Sequence, residues 1–244
     1  MTGRLIGVGV GPGDPELLTI KAARLIEQAP VIAYPQPDDG PSFARSIVAE
    51  RMGDATEEPI VVPMRTARFP AAEVYDEAAQ RLSRHLDEGR DVVVLCEGDP
   101  FFYGSFMYLF ARLNGRHRVE IVPGVSSMTA ASAASALPLA ARNDVLTILP
   151  APLPDETLEA RLQSTNAAVI IKLGRHFPRV RALLDQLGLV GATHYCERVG
   201  LDTERLVPLR ELEQFDAPYF SLLLVYRGAE EWVHSLEGRR SEGL

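Results

Sequence analysis

The residues best suited to chemistry are Glu97-Gly98-Asp99-Pro100-Phe101-Phe102-Tyr103-Gly104, which directly follow the apolar run Val92 to Cys96. That run is continuous and mostly β-branched, a pattern that predicts a parallel strand buried on both faces. Loops at the carboxyl ends of such strands are where open α/β sheets bind ligands. This loop offers an acid, a glycine that admits close backbone approach, and three aromatics, without a lysine or a metal-type cluster. Such chemistry suits a polar, cationic-to-neutral ligand better than a bare phosphate. The same residues are compatible with a tight strand-to-helix turn whose aromatics face the core.

A second loop of interest is Gly7-Val8-Gly9-Val10-Gly11-Pro12-Gly13-Asp14-Pro15, again between an expected strand and an expected helix. Its spacing does not fit a dinucleotide fingerprint, because the third required glycine falls on Pro12 or on Asp14. Pro12 and Pro15 have no N–H for a pyrophosphate, and Asp14 would repel one. Asp14 instead reads as a helix N-cap with Pro15 at the first helical position. The glycines still let another molecule approach the backbone, unless they serve only a tight turn.

Composition narrows the classes. The 244 residues are 46% hydrophobic and 24% charged, as in an ordinary soluble globular protein of one large or two modest domains. A formal net charge of -8 and a pI near 5.2 argue against non-specific nucleic-acid binding. The glycine-broken start lacks the apolar core of a signal peptide, and no run approaches the roughly 20 apolar residues of a membrane-spanning helix. Cys96 and Cys196 are too far apart and too few for a disulfide framework. The expected location is therefore cytoplasmic. The five histidines show no zinc-ligand spacing, so no metal is expected. His194-Tyr195-Cys196-Glu197 gathers polar groups at a strand end and reads as partly exposed surface.

Around these loops, strands are expected over 5–10, 31–34, 60–62, 92–96 and 119–122. Helices are expected over 16–28, 42–52, 72–87 and 106–113. This βα alternation predicts a mainly parallel sheet with helices on both faces. Past Pro123-Gly124 a small-residue helix, 125–136, is followed by strands over 145–149, 168–172 and 219–226, an added one over 193–196, and a helix over 179–187. The expected division is 1–123 and 124–244, both α/β, the second with a mixed sheet.

Taken together, the chain resembles the tetrapyrrole methylase family over nearly its whole length. The markers are Gly9-Val-Gly-Pro-Gly-Asp-Pro-Glu-Leu-Leu-Thr19 with Lys21-Ala22, Gly98-Asp99-Pro100 with Tyr103-Gly104, and Val122-Pro-Gly-Val-Ser-Ser127 with Leu137-Pro138-Leu139. Tyr34-Pro35 with Ser42 and Ala44-Arg45, Cys96 to Phe101, Ile171-Lys172-Leu173-Gly174 and Tyr195-Cys196-Glu197-Arg198 are similar to the branch that methylates C20 of precorrin-2. The resemblance implies two α/β domains with S-adenosyl-L-methionine folded between them, S-adenosyl-L-homocysteine as product, a homodimer and a tetrapyrrole substrate. It places Gly98, Asp99, Phe102, Tyr103, Ser126 and Ser127 at the cofactor, with Leu173, Ser221 and Leu222 around its adenosine. Gly11, Pro12 and Asp14 would face the tetrapyrrole, whose carboxylates Arg45, Arg142, Lys172 and Arg175 are placed to meet.

Methyl transfer from a sulfonium is an in-line displacement that needs orientation more than a protein nucleophile. No catalytic residue is therefore assigned, in keeping with the lack of any Ser-His-Asp or Cys-His constellation. Asp99 could accept a hydrogen bond from the methionyl ammonium. On this reading the two glycine loops serve different ligands. Alternatives are the cobalt-loaded acceptor, an RNA-modifying methylase on the same scaffold, and a regulator that binds the cofactor without turnover. No nucleic-acid or membrane partner is expected.

Overall fold

The computed structural model describes residues 2–63, 71–214 and 216–228, and the chain divides into two units, Met1–Ser127 and Met128–Leu244. Five strands form the sheet of the first unit: β1 (Arg4–Gly9), β2 (Val31–Pro37), β3 (Thr56–Val62), β4 (Val92–Cys96) and β5 (Arg118–Val122). Their order is β3-β2-β4-β1-β5, and every pairing is parallel. Every residue of β4 is buried, as its unbroken apolar run requires at the centre of a sheet covered on both faces.

The helices are α1 (Ile20–Glu27), α2 (Phe43–Ile47), α3 (Ala71–Asp87) and α4 (Phe106–Leu113). Alternate strand residues feed two separate cores. Leu5, Val92, Val94 and Cys96 pack with Leu82, Leu86, Phe106 and Leu109 of α3 and α4. Ile6, Val8, Val93 and Leu95 pack with Ala22, Ile26, Ala44 and Ile47 of α1 and α2. The two-residue period of the strands thus assigns each helix pair its own face.

Two expected helices prove shorter than their apolar pattern. In place of one helix over 16–28, a 3-10 turn at Pro15–Leu17 is followed by extended Leu18, and α1 begins only after Thr19. The Thr19 hydroxyl accepts the Ala22 N–H at 3.1 Å, which restarts the helix at a new cap. The helix expected over 42–52 ends at Ile47, where Val48 leaves helical geometry and a 3-10 turn follows at Ala49–Arg51. Ser42 caps it, its Oγ accepting the Arg45 N–H at 3.2 Å.

The second unit holds α5 (Ser127–Ser135), β6 (Leu146–Pro150), α6 (Asp155–Gln163), β7 (Ala167–Ile171), α7 (Phe177–Gln186), β8 (Thr193–Glu197), β9 (Arg205–Pro208) and β10 (Ser221–Tyr226). Its sheet order is β6-β7-β10-β8-β9, with β6 parallel to β7 and the remaining pairs antiparallel. Leu158, Leu162, Phe177, Val180, Leu184, Tyr195 and Leu223 centre its core. Sequence reasoning missed α6 and β9. α6 buries only Leu158 and Leu162 among charged residues, and all four residues of the edge strand β9 are half-buried, so neither carries a strong periodic signal.

Candidate active site

β1 and β4 are neighbours, yet their connections leave in opposite directions: β1 runs into α1 on one face and β4 into α4 on the other. Their carboxyl ends therefore form a topological switch point, where open α/β sheets admit ligands. Both glycine loops start there, and they are joined. The Val10 N–H donates to the Cys96 carbonyl at 2.9 Å, extending the ladder past the strands. The Gly98 N–H then donates to the Gly11 carbonyl at 2.8 Å, and the Gly11 N–H donates back at 3.3 Å. Gly11 and Gly98 hold φ of 80° and 62°, the left-handed region that glycine enters at no steric cost.

Small size matters as much as backbone freedom here. A Cβ on Gly9 would lie 2.5 Å from the Gly98 carbonyl oxygen and 2.6 Å from the Gly124 Cα. One on Gly124 would lie 2.1 Å from that same oxygen. Three loops thus touch backbone to backbone. Asp99 fastens the third to the second, because its Oδ1 accepts the Phe101 N–H at 2.9 Å and its Oδ2 accepts the Gly124 N–H at 3.1 Å. The first two loops, expected to serve different ligands, are thus joined through their backbones. The sequence marks Gly124 as a boundary and as part of the Val122–Ser127 marker, but gives no sign of this close backbone contact.

The aromatics of the second loop are divided: Phe101 packs on the core rings Phe106 and Phe110, with centroids at 6.1 and 5.1 Å, yet keeps an exposed face. Phe101 and Tyr103 are 45% and 44% exposed, and Phe102 stacks edge-on against Tyr103 at 5.1 Å between ring centroids. Tyr103 has φ 56°, a costly conformation for a bulky residue and one that marks functional loops. No Lys, Arg or His occurs over 5–20, 91–111 or 119–141, whereas Asp14, Glu97 and Asp99 sit in or beside the loops. Burial pushes the Glu97 carboxyl above its usual range, against hydrogen bonds from its own amide and that of Ala44. A Cβ at Gly98 would come no nearer than 3.9 Å to Ser126 and Val125, leaving room at that glycine.

The structure gathers Gly11, Gly98, Asp99 and Ser126, with half-buried Pro12 beside them. Asp14 acts as the expected cap, its Oδ1 accepting the Glu16 N–H at 2.8 Å, and exposed Ser127 opens α5. Leu173, Ser221 and Leu222 are in the second unit, where Leu173 is wholly buried in the core and Ser221 and Leu222 begin β10. Of the proposed carboxylate partners, Arg45 is already engaged: Nε and Nη2 donate to Glu57 at 2.6 and 2.7 Å. The Tyr34 hydroxyl donates to the same carboxylate at 2.5 Å. These bonds from Arg45 and then Tyr34 hold Glu57 at about 2. Arg142 precedes β6 and Arg175 follows β7, and because β6 and β7 are parallel these residues lie at opposite ends of that sheet.

The segment 194–197 is not partly exposed surface. Tyr195 and Cys196 are fully buried and Glu197 nearly so, with only His194 half-buried. The Tyr195 hydroxyl donates to Glu197 Oε2 at 2.6 Å, so the polar atoms of the strand satisfy one another inside the fold. Burial raises the Cys196 thiol to about 11. Among the described residues no cluster of His, Cys, Asp or Glu has the form of a metal site, and no helix is long and apolar enough to cross a membrane.

The family model described as tetrapyrrole (corrin/porphyrin) methylases matches residues 4–213. The chain belongs to the tetrapyrrole methylase family. The chain is 40% identical over 232 residues to a precorrin-2 C(20)-methyltransferase from Sinorhizobium, covering 91% of this chain and 95% of that protein. It is 44% identical over 235 residues to the cobalamin biosynthesis protein CobIJ of Mycobacterium tuberculosis, covering 93% of this chain but 46% of that protein. The chain thus spans about half the length of that longer relative. Among solved structures, a uroporphyrin-III C-methyl transferase from Thermus thermophilus complexed with S-adenyl homocysteine aligns with a TM-score of 0.67 and 28% identity. The match covers 96% of this chain and 100% of that one.

Proposed function

We propose that this methylase transfers one methyl group from S-adenosyl-L-methionine to C20 of precorrin-2, giving precorrin-3A on the route to cobalamin. The observation that carries the choice of C20 is the end-to-end similarity to the Sinorhizobium enzyme of that name. The switch-point geometry supports methyl transfer as the reaction type. Loops without a cation, holding acids and half-exposed aromatics, fit a sulfonium donor and not a phosphate-linked one.

When bound, the donor supplies a methyl group on a positively charged sulfur, activated for in-line displacement. Gly98 brings backbone close to it, and Asp99 acts chiefly by holding the Phe101 and Gly124 amides, so that the loops of β4 and β5 keep one geometry. Phe102, Tyr103, Ser126 and Ser127 form the wall. Orientation of this kind can contribute several kcal/mol to the barrier when reacting atoms are held about 3–3.5 Å apart. The Gly11-Pro12 turn faces the acceptor, which loses a proton from C20 to solvent after the new C–C bond forms.

The protein acts in the cytoplasm as a homodimer. Support for self-association comes from α4, where Met107 and Tyr108 are 41% and 53% exposed beside buried Phe106. Light scattering at micromolar concentration tests it, and a monomer mass throughout would count against it. For the reaction, labelled methyl transfer is measured with precorrin-2, its cobalt-loaded counterpart and bulk RNA as acceptors. Transfer to the tetrapyrrole is expected; transfer to RNA alone, or tight cofactor binding without turnover on any acceptor, would overturn the reading.

A further inference from the structure

The first unit holds a cavity at the end of its sheet opposite the glycine loops. All five strands are parallel, so their amino ends share one side. The helix α4 leaves the carboxyl end of β4 and brings its last turn to the start of β5, on that side. There α3, α4 and the turn after α4 line a cavity of about 500 Å³, within the usual range of small-molecule sites. Asp76, Gln80 and Ser83 face it from α3, and Arg112 and Arg116 from α4 and the turn that follows.

The two arginines differ in what they already hold. Arg112 Nε donates to Asp76 Oδ1 at 2.6 Å, and its Nη1 and Nη2 donate to the Tyr108 and Ala72 carbonyls at 2.9 and 3.1 Å. These bonds also meet the charge of Asp76 on the cavity wall. Arg116 is exposed, and its guanidinium meets no carboxylate or carbonyl among the described residues. A second observation concerns His117, whose side chain is only 6% exposed. Its Nε2 lies 3.2 Å from Ser83 Oγ, while its buried Nδ1 has no hydrogen-bond partner and stands 3.9 Å from Asp87 Oδ1, too far for a hydrogen bond. Buried polar atoms are rarely left so; the ring forgoes a bond at Nδ1 and keeps Nε2 on Ser83. With the proton on Nε2 the ring donates to Ser83 Oγ, and the Ser83 hydroxyl is left to donate into the cavity it lines.

We propose that this cavity binds the phosphate or carboxylate group of a small molecule, with the Arg116 guanidinium and the Ser83 hydroxyl as its donors. The fork of a guanidinium matches a two-oxygen edge of either group. The Gln80 amide, one helical turn before Ser83 on α3, adds a donor at the same wall. Charge supports an anion: Asp76 and Arg112 cancel, and Arg116 leaves the wall positive on a chain whose net charge is -8. His117 is a positioning residue that acts through Ser83. The proposal goes beyond the methyl-transfer reading and does not depend on it.

The test is calorimetry of the full chain with inorganic phosphate and, separately, with citrate, which distinguishes the two groups. Binding of at least one probe with a dissociation constant at or below about 1 mM is expected. Arg116→Gln and Ser83→Ala should each weaken it about tenfold, the scale of one lost charge-assisted bond. Arg161→Gln, at an exposed position of α6 in the second unit, should leave it unchanged. His117→Gln should weaken binding in the wild-type background and add nothing to Ser83→Ala, because the ring acts through that hydroxyl. The His117 ring signal in the NMR spectrum, identified by its loss in His117→Gln, should shift as the anion is added, and should stay in place in Arg116→Gln at the same concentration. Saturating S-adenosyl-L-homocysteine should leave anion binding intact, since the glycine loops stand at the other end of the sheet. The assignment would be overturned by neither heat nor a His117 shift with either probe, by wild-type affinity in both Arg116→Gln and Ser83→Ala, or by displacement of the anion by S-adenosyl-L-homocysteine.

Discussion

Replacing Gly124 by alanine tests the three-loop contact most sharply, because its cost is one of space and not of backbone angle. The new Cβ would sit 2.1 Å from the Gly98 carbonyl oxygen and 2.8 Å from the Gly9 Cα. Both obstacles are main chain, with no rotamer to swing away. The loops must part, and parting stretches the two Gly11–Gly98 bonds and the Gly124–Asp99 bond. Overpacking costs about 1–3 kcal/mol and each weakened hydrogen bond about 0.5–1.5 kcal/mol. The sum is roughly 2.5–7.5 kcal/mol if all three bonds open together, which corresponds to a fall in melting temperature of roughly 5–30 °C. Gly98→Ala supplies the contrast, since its Cβ finds 3.9 Å of clearance and the penalty is the left-handed backbone alone, about 1–2 kcal/mol. Gly191→Ala, with nothing within 4 Å, is the neutral control. Thermal melts by circular dichroism and calorimetric titration with S-adenosyl-L-homocysteine read both effects. If Gly124→Ala melts with wild type and binds the nucleoside normally, the loops are not in the contact described.

Asp99→Asn removes charge from the acceptor of the Phe101 and Gly124 amides, and calorimetry should show affinity for S-adenosyl-L-homocysteine about tenfold weaker; a change within about twofold on that scale would refute the role. Gly11→Val places a β-branched residue at φ 80° and strains the bridge to Gly98, so cofactor affinity and turnover should fall together, and a loss of turnover alone would show that the loops act independently. Glu57 titrates near 2 in the folded protein, below its ordinary 4.5, so the stability it contributes is present above about pH 4.5 and is lost as pH falls toward 2. Glu57→Gln should therefore flatten the pH dependence of the melting temperature across that window, and an unaltered profile would rule out the Tyr34–Glu57–Arg45 contact as its source.

Legibility in the sequence followed the strength of local signals. The β4 run and the loop after it were readable because a buried parallel strand is continuous in apolar residues and the glycines and acid sit at its carboxyl end. Asp14 and Pro15 were readable as cap and first residue, though what they cap is a single 3-10 turn, because Thr19 outcompetes continuation of the helix. The hydrogen-bonded bridge between Gly11 and Gly98 was not readable, since no local pattern records that two loops 87 residues apart in sequence lie side by side. Arg45 illustrates a related limit: its type suits a substrate carboxylate, but its geometry commits two donors to Glu57. Burial of 194–197 escaped notice because polar side chains that satisfy one another look, in sequence, like residues that face water.

The proposed reaction is transfer of one methyl group from S-adenosyl-L-methionine to C20 of precorrin-2. It is tested most directly by incubating the protein with methyl-labelled donor and precorrin-2 and locating the label by NMR of the isolated product. One labelled methyl per ring is expected, bonded at C20, with none in a reaction lacking the protein. A labelled methyl at any other ring position, or an unmodified ring in the presence of protein that binds S-adenosyl-L-homocysteine, would contradict it.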